Sequence, residues 1–489
     1  MDDLNDLLRL LQVVKETGWE KIFKDTNLHV WRTSSSNENS FSYPDPLFSM
    51  RCLLEDSKRC MKALNTARQN LGMNIRALEK RCMHLVFEDG ITRLPNELLA
   101  RIFELGHHMT KDCKFALRVS HVSRRFRDVS LGTPLLWSRL AFLPSVNLTR
   151  EFISRAGPHD LDISTYKGWG SASKSKMTSF LSLVAPLSNQ WSRLTIFDIQ
   201  VEDEINSLGL HNFPSLSYLG HSYTMDLSTW TMPLLRVVGG HRATFTPGVP
   251  YMSQLTTVDM LFDLGAKLDV PSLARALHAM PNLQHLFLEL WHCLCAMNVT
   301  PLGPQEIPER HSVNIQTLQI SVKGLTRREL IQDLYDALAY FTPSTVNISL
   351  TFDFVSEDPE DFKFLHTSDD KIFPHGSTIQ ITIFHHPAAI FYTLWELTGT
   401  CDIVSSVQLE IPDAYIDLHN YPKISSIRHL RFRNCDTLAE SDVETLTKKF
   451  TCLNDGGLES LEFIYCKKLS EEFLLDLKSE FGEKVKWII

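Results

Sequence analysis

Most of the residue patterns that mark a chemistry are missing from this sequence. None of its 489 residues fall in a run of eighteen apolar residues, so no segment reads as a membrane-spanning helix. The N-terminus, MDDLNDLLRLLQVV, starts acidic and lacks a basic flank and a small-residue cleavage site, which argues against a secretory signal. The ten cysteines, at 52, 60, 82, 113, 293, 295, 401, 435, 452 and 466, keep no framework spacing. Such scatter without a signal points to reduced thiols, and to the cytosol or nucleus. His292, Cys293 and Cys295 sit close together, but no second pair follows at zinc spacing, and His385-His386 lies far along the chain. They read as buried thiols and a loop histidine, with no metal expected. Gly168-Trp169-Gly170-Ser171 lacks the Lys-Ser/Thr ending of a phosphate loop and is not a nucleophile elbow. It reads as a surface loop. No catalytic residue and no cofactor are expected.

A basic excess is missing too. Lys and Arg number 49 against 58 Asp and Glu, a net charge of −9. Residues 91–140 are locally basic, with nine basic and four acidic groups, whereas 141–489 carry 27 and 41. A large acidic region repels phosphate backbones, so nucleic acid is not expected as a ligand. Arg124, Arg125 and Arg127 then read as a solvated helix face. Hydrophobic residues at 43% and charged residues at 22% are ordinary for a soluble globular chain, of about three domains by length.

What is present falls into four regions. Residues 1–44 hold a short amphipathic pattern, with Leu4, Leu7, Leu8, Leu11, Val14 and Ile22, and lead into a polar linker with Pro44 and Pro46 nearby. Residues 45–90 hold a helix, without proline from Leu54 to Leu85, in which Leu64, Leu71, Leu78 and Leu85 recur every seven residues. Met61, Ile75 and Cys82 stand three before their leucines, and Arg68 interrupts the series. Two readings stay open: a coiled coil over 54–85 that joins two copies of the chain, or a single helix packed on its own neighbouring domain. The charged core position and the short length favour the second. Gly90 is the expected C-cap.

Residues 91–140 carry ordered motifs: Leu94-Pro95-Asn96-Glu97-Leu98, then Ile102-Phe103, then Val122-Ser123-Arg124-Arg125-Phe126, and finally Leu136-Trp137. Leu98, Ile102 and Leu105 share one helix face, with Leu99 and Phe103 on the next. A second helical pattern runs through Phe115, Leu117, Val119, Val122 and Phe126. About fifty residues cannot bury this much apolar surface among themselves. The order of these residues resembles an F-box, with Ser123 and Phe126 where that family often has Cys and Trp. The resemblance implies docking on the small adaptor of a cullin–RING ubiquitin ligase. Leu94, Pro95, Leu98, Ile102 and Phe103 would face the adaptor, and Val119, Val122, Phe126 and Trp137 would hold the module together.

From residue 141 the rhythm changes to short apolar segments: SRLTIFDI (192–199), PSLSYLGH, PLLRVVGG, SQLTTVDM, PNLQHLFL, NIQTLQIS, STVNISL, STIQITI, SSVQLEI, SSIRHLRF and ESLEFIYC (459–466). Helical stretches separate several of them: 272–280, 328–341, 388–397, 442–453 and 471–481. One strand-plus-helix unit cannot cover its own apolar face, and stacking many units does. The expected fold is therefore α+β: N-terminal helices and a small all-α module, followed by a βα solenoid of about eleven units over 141–489. LRFRNCDTLAESDVETL (430–446) and LEFIYCKKLSEEFLLDL (461–477) resemble leucine-rich repeats, each with a Cys after the strand. Together the resemblances imply a non-enzymatic substrate receptor of an adaptor–cullin–F-box (SCF) ligase, its repeats holding an unnamed protein target. The alternative is a repeat scaffold whose F-box-like helices only cap the solenoid. An exposed apolar face on Leu98–Phe103 would favour the receptor, and a buried one the scaffold.

Overall fold

The computed structural model describes Gln12 and residues 45–110, 113–142, 145–165, 174–197, 200–222, 227–241, 249–263, 265–296, 308–351, 364–385, 388–415, 427–451 and 458–488. The N-terminal amphipathic pattern, the linker up to 44 and the 168–171 loop lie outside the described residues. The chain divides into two compact units, Met1–Arg101 and Ile102–Ile489.

In the first unit, α1 (Asp45–Arg93) runs for 49 residues, roughly 74 Å at 1.5 Å per residue. It passes through Gly90, so that glycine is not the C-cap. A helical glycine costs only about 1 kcal/mol. The real stop is Pro95, whose ring disfavours helical backbone at Leu94. Met61, Leu64, Leu71, Ile75 and Leu78 stand exposed along α1 rather than packed. The helix α2 (Asn96–Met109) follows, and Pro95 supplies its first acceptor, taking the Leu99 N–H at 3.1 Å.

The second unit opens within α2, at Ile102, and continues with α3 (Phe115–Ser120), α4 (Arg124–Leu131) and a 3-10 turn over Pro134–Trp137. The single helical pattern expected over 115–126 is therefore two helices. Ser123 breaks it by adopting extended backbone and accepting the Phe126 N–H on its hydroxyl at 3.2 Å, an N-cap for α4. Gly106 to Met109 stay helical as the last turn of α2.

The remainder is built on strands β1 (Arg139–Ala141), β2 (Leu161–Ser164), β3 (Trp191–Ile196), β4 (Tyr218–His221), β5 (Val237–His241) and β6 (Thr257–Phe262). They continue through β7 (Lys267–Leu268), β8 (His285–Trp291), β9 (Leu294–Cys295), β10 (Val313–Lys323), β11 (Phe341–Thr351) and β12 (Thr378–Phe384). The last are β13 (Ala388–Ala389), β14 (Ser406–Glu410), β15 (Ala414–Tyr415), β16 (His429–Arg433), β17 (Ser460–Ile464) and β18 (Val485–Ile488). Fourteen of them form one sheet in which chain order is spatial order, while β7 pairs with β9 and β13 with β15. Neighbours in the large sheet are parallel throughout.

Parallel neighbours need a crossover between them. Helices supply many of these: α5 (Val146–Ala156), α6 (Lys174–Val184), α7 (Gln200–Ser207), α8 (Val270–His278), α9 (Arg328–Leu338), α10 (Ile390–Thr400), α11 (Glu440–Thr451) and α12 (Glu471–Phe481). Each of the eleven segments read from the sequence contributes a strand. The sheet has three more, β1, β2 and β18.

Alternation sets the two faces. Leu286, Leu288 and Leu290 of β8, Leu318, Ile320 and Val322 of β10, and Ile379, Ile381 and Ile383 of β12 are all buried in register. Stacked rings extend the core, Tyr335 on Phe373 at 4.1 Å and Phe432 on Phe463 at 5.7 Å. The residue after β8, β10, β12, β16 and β17 turns left-handed: His292, Gly324, His385, Asn434 and Tyr465. After three of these comes a buried cysteine whose thiol reaches a carbonyl of the preceding strand. The contacts are Cys293 to Phe262 O at 3.2 Å, Cys435 to Leu409 O at 3.6 Å and Cys466 to Phe432 O at 3.8 Å. Cys293 thus takes the same place as the two cysteines expected in the last repeats. Its neighbourhood in sequence to His292 reflects the strand-end turn.

Candidate protein-docking surfaces

The helix α2 divides its apolar residues between two faces. Leu98, Ile102, Leu105 and Met109 follow at spacings of four, three and four, which puts them on one stripe. Their exposures are 52%, 50%, 63% and 87%. Pro95 is exposed and Leu94 half-buried just ahead of the helix. Leu99 and Phe103, on the adjoining face, are buried. Of the five residues expected to face a partner, Phe103 is therefore turned inward: its ring packs on Phe126, centroids 5.0 Å apart. Leu105 and Met109 were not in that set, although the spacing of Leu98 and Ile102 projects onto them.

The module beneath this stripe is held by specific contacts. Trp137 is fully buried, its indole N–H donates to Ser130 O at 2.8 Å, and its ring meets Phe152 edge-on at 4.9 Å. The Arg155 guanidinium lies 4.5 Å from the same ring. Gly106 lets the Phe115 ring lie directly on α2, since a Cβ there would fall 2.5 Å from the ring. Val119 and Phe126 are half-buried. Val122, expected in the core, is 64% exposed. It sits in the turn after α3, outside both helices, with its N–H bonded to Val119 O.

The C-terminal end of α2 is tied down by Arg139 of β1. Its guanidinium donates to the carbonyls of His107 and Thr110, and its Nε to Asp162 Oδ2 at 3.1 Å. These bonds add donors to helix-end carbonyls, which the helix backbone itself leaves unsatisfied. His107, beside them, is buried with no hydrogen-bond partner on Nδ1. Burial, with the Arg139 charge and His108 adding to it, holds its imidazole down at about 4.

Residues 91–143 match the F-box-like family model. No curated protein matches the chain. The F-box-like segment therefore ends just after β1, so that Arg139 joins the end of α2 to the first strand of the sheet.

The sheet offers a second surface on its outward-facing rows. In one row Gln319, Asn347, Gln380 and Gln408 pair across β10, β11, β12 and β14, and Arg431, Glu462 and Lys486 continue it. The adjacent row carries Thr317, Thr345, Thr378 and Ser406 on the same four strands. Its middle is thus amides and hydroxyls, and its C-terminal end is charged. There Arg431 pairs with Glu462 at 2.6 Å and Lys486 with the same carboxylate at 3.9 Å. Those partners hold the Glu462 carboxyl below its usual range against the opposing effect of its burial. Near β1, Asp162 also takes Arg193 at 3.9 Å, and Arg193 lies 3.7 Å over the Tyr218 ring. Among the described residues no cluster of three or more metal-ligating side chains occurs.

Proposed function

We propose that this chain is the substrate-recognition subunit of an SCF-type ubiquitin ligase and performs no chemistry itself. The observation that carries the reading is the exposed apolar stripe on α2 within the F-box-like segment. A surface of that kind usually awaits a partner. It favours adaptor docking over a capping role, in which the stripe would be buried. Leu98, Ile102 and Leu105, with Leu94 and Pro95 ahead of them, make the contact with the adaptor, and Phe103 supports the helix from below. A cullin joins through the adaptor.

In this reading residues 141–489 form a βα solenoid of the leucine-rich-repeat type, and its outward amide and hydroxyl rows hold a protein target. The supports are strand pairing in chain order and the recurrent left-handed residue and cysteine at strand ends. The receptor works by proximity, holding target lysines near a ubiquitin-loaded enzyme. The buried thiols of Cys401, Cys435 and Cys466 fit a cytosolic or nuclear setting.

Co-expression with the adaptor followed by size-exclusion chromatography tests the docking. Wild type should co-elute as a stoichiometric complex, and Ile102→Asp/Leu105→Asp should elute alone while keeping its circular dichroism spectrum. Unchanged co-elution of that folded variant would remove α2 from the interface.

A further inference from the structure

The apolar seam of α1 lies outside the α2 stripe and the outward rows of the sheet. Met61, Leu64, Leu71, Ile75 and Leu78 are exposed together on this helix. With Cys82 and Leu85 they repeat every seven residues in two interleaved series three apart. A strict seven-residue repeat is the period of a left-handed supercoil, because a straight helix drifts about 20° per heptad and would carry the stripe off a flat neighbour. The leucines take the d positions. Leu54, Met61, Arg68, Ile75 and Cys82 take the a positions. Leucine at d with a β-branched residue at a, as at Ile75, favours two parallel strands. A polar residue at one a position fixes register at a cost in stability, and Arg68 is placed to do so.

We propose that a second copy of this chain covers the seam, in a parallel, in-register coiled coil over residues 54–85. The chain's own amphipathic stretch, residues 4–23, is the competing cover. At 1.5 Å per residue it reaches about 30 Å as a helix, whereas the seam spans about 48 Å. A second α1 matches the whole length. Stable association needs about 800 Å² per partner, so the full seam must pair, and a dimer interrupted at Arg68 dissociates on dilution. The chain enters α2 two residues after α1 ends, so parallel pairing starts both docking helices from the same end of the coil. The proposal does not depend on what α2 binds.

Cys82 provides a reporter. Its thiol is free and exposed, and at an a position it faces its counterpart only if the two strands are parallel and in register. Mild oxidation with hydrogen peroxide then joins two thiols as one disulfide, their two hydrogens leaving with the peroxide oxygens as two waters. The experiment uses the full chain. Light scattering after size exclusion should give twice 56.0 kDa at high concentration, falling on dilution. Leu71→Glu/Leu78→Glu should be monomeric yet still bind the adaptor as wild type does. Oxidised wild type should show a cross-linked dimer on a non-reducing gel, and Cys82→Ser should not. Monomeric wild type at every concentration overturns the proposal, as does a dimer that survives Leu71→Glu/Leu78→Glu. A dimer with no Cys82-dependent cross-link overturns the parallel register.

Discussion

Acid should loosen the end of α2 through a single side chain. His107 lies in the last turn of α2, buried, with its imidazole held at about 4 against an ordinary 6.5. Its folded form is neutral at any pH above about 4, while the unfolded form begins to protonate below about 6.5. Between those values the unfolded chain binds the extra proton, so stability falls as pH falls and levels off below the folded value. The full effect of a 2.5-unit depression is about 3 kcal/mol. From about pH 7.5 to about pH 5.5 the loss is about 1.4 kcal/mol, a tenfold rise in the population that opens this turn.

Hydrogen exchange followed by mass spectrometry reads that opening in peptides covering 103–110. After correction for the intrinsic pH dependence of exchange, wild-type protection there should drop about tenfold across that interval. His107→Gln keeps a polar side chain in the helix but removes the titration, so its protection should change far less. Equal sensitivity in the two proteins, or none in wild type, would refute the assignment of acid lability to His107.

The two faces of α2 should respond oppositely to truncation. Phe103→Ala empties a buried site against Phe126 and should cost about 3–4 kcal/mol in denaturant unfolding, while Ile102→Ala should stay within about 0.5 kcal/mol. In the sheet, Gly324→Ala should destabilise by at least about 1 kcal/mol in thermal unfolding. The residue sits at φ 68°, and a Cβ would fall 2.4 Å from the His292 ring of the neighbouring turn.

The F-box-like segment was legible because its signal is local: a proline before a helix, apolar residues at helical spacing, and a tryptophan closing the run. Which side chains within it are buried depends on contacts beyond the segment's own period. Phe103 and Ile102 are adjacent in sequence and equally apolar, and only the position of Phe126 puts one inside and leaves the other out. Val122 fitted a continuous helical period until Ser123 was seen to cap α4, which moves Val122 into a turn. The roles of Leu105 and Met109 follow from the same period and needed only its extension by two turns.

The sheet divides in the same way. Short apolar runs separated by helical stretches were enough to find eleven strands, because alternation and the need to cover an apolar face act within one unit. Parallel pairing in strict chain order follows from the crossovers. The outward rows did not show in the sequence, since Gln319, Asn347, Gln380 and Gln408 lie about thirty residues apart and meet only through strand register. Arg139 is the same case: nothing nearby in sequence marks it as the residue that holds the end of α2. The sequence alone determined where most of the helices and eleven of the fourteen strands of the large sheet form, because propensity and period are properties of neighbouring residues. Which apolar residues are covered, and which polar groups meet, was decided by contacts between distant segments, and those exist only in the folded chain.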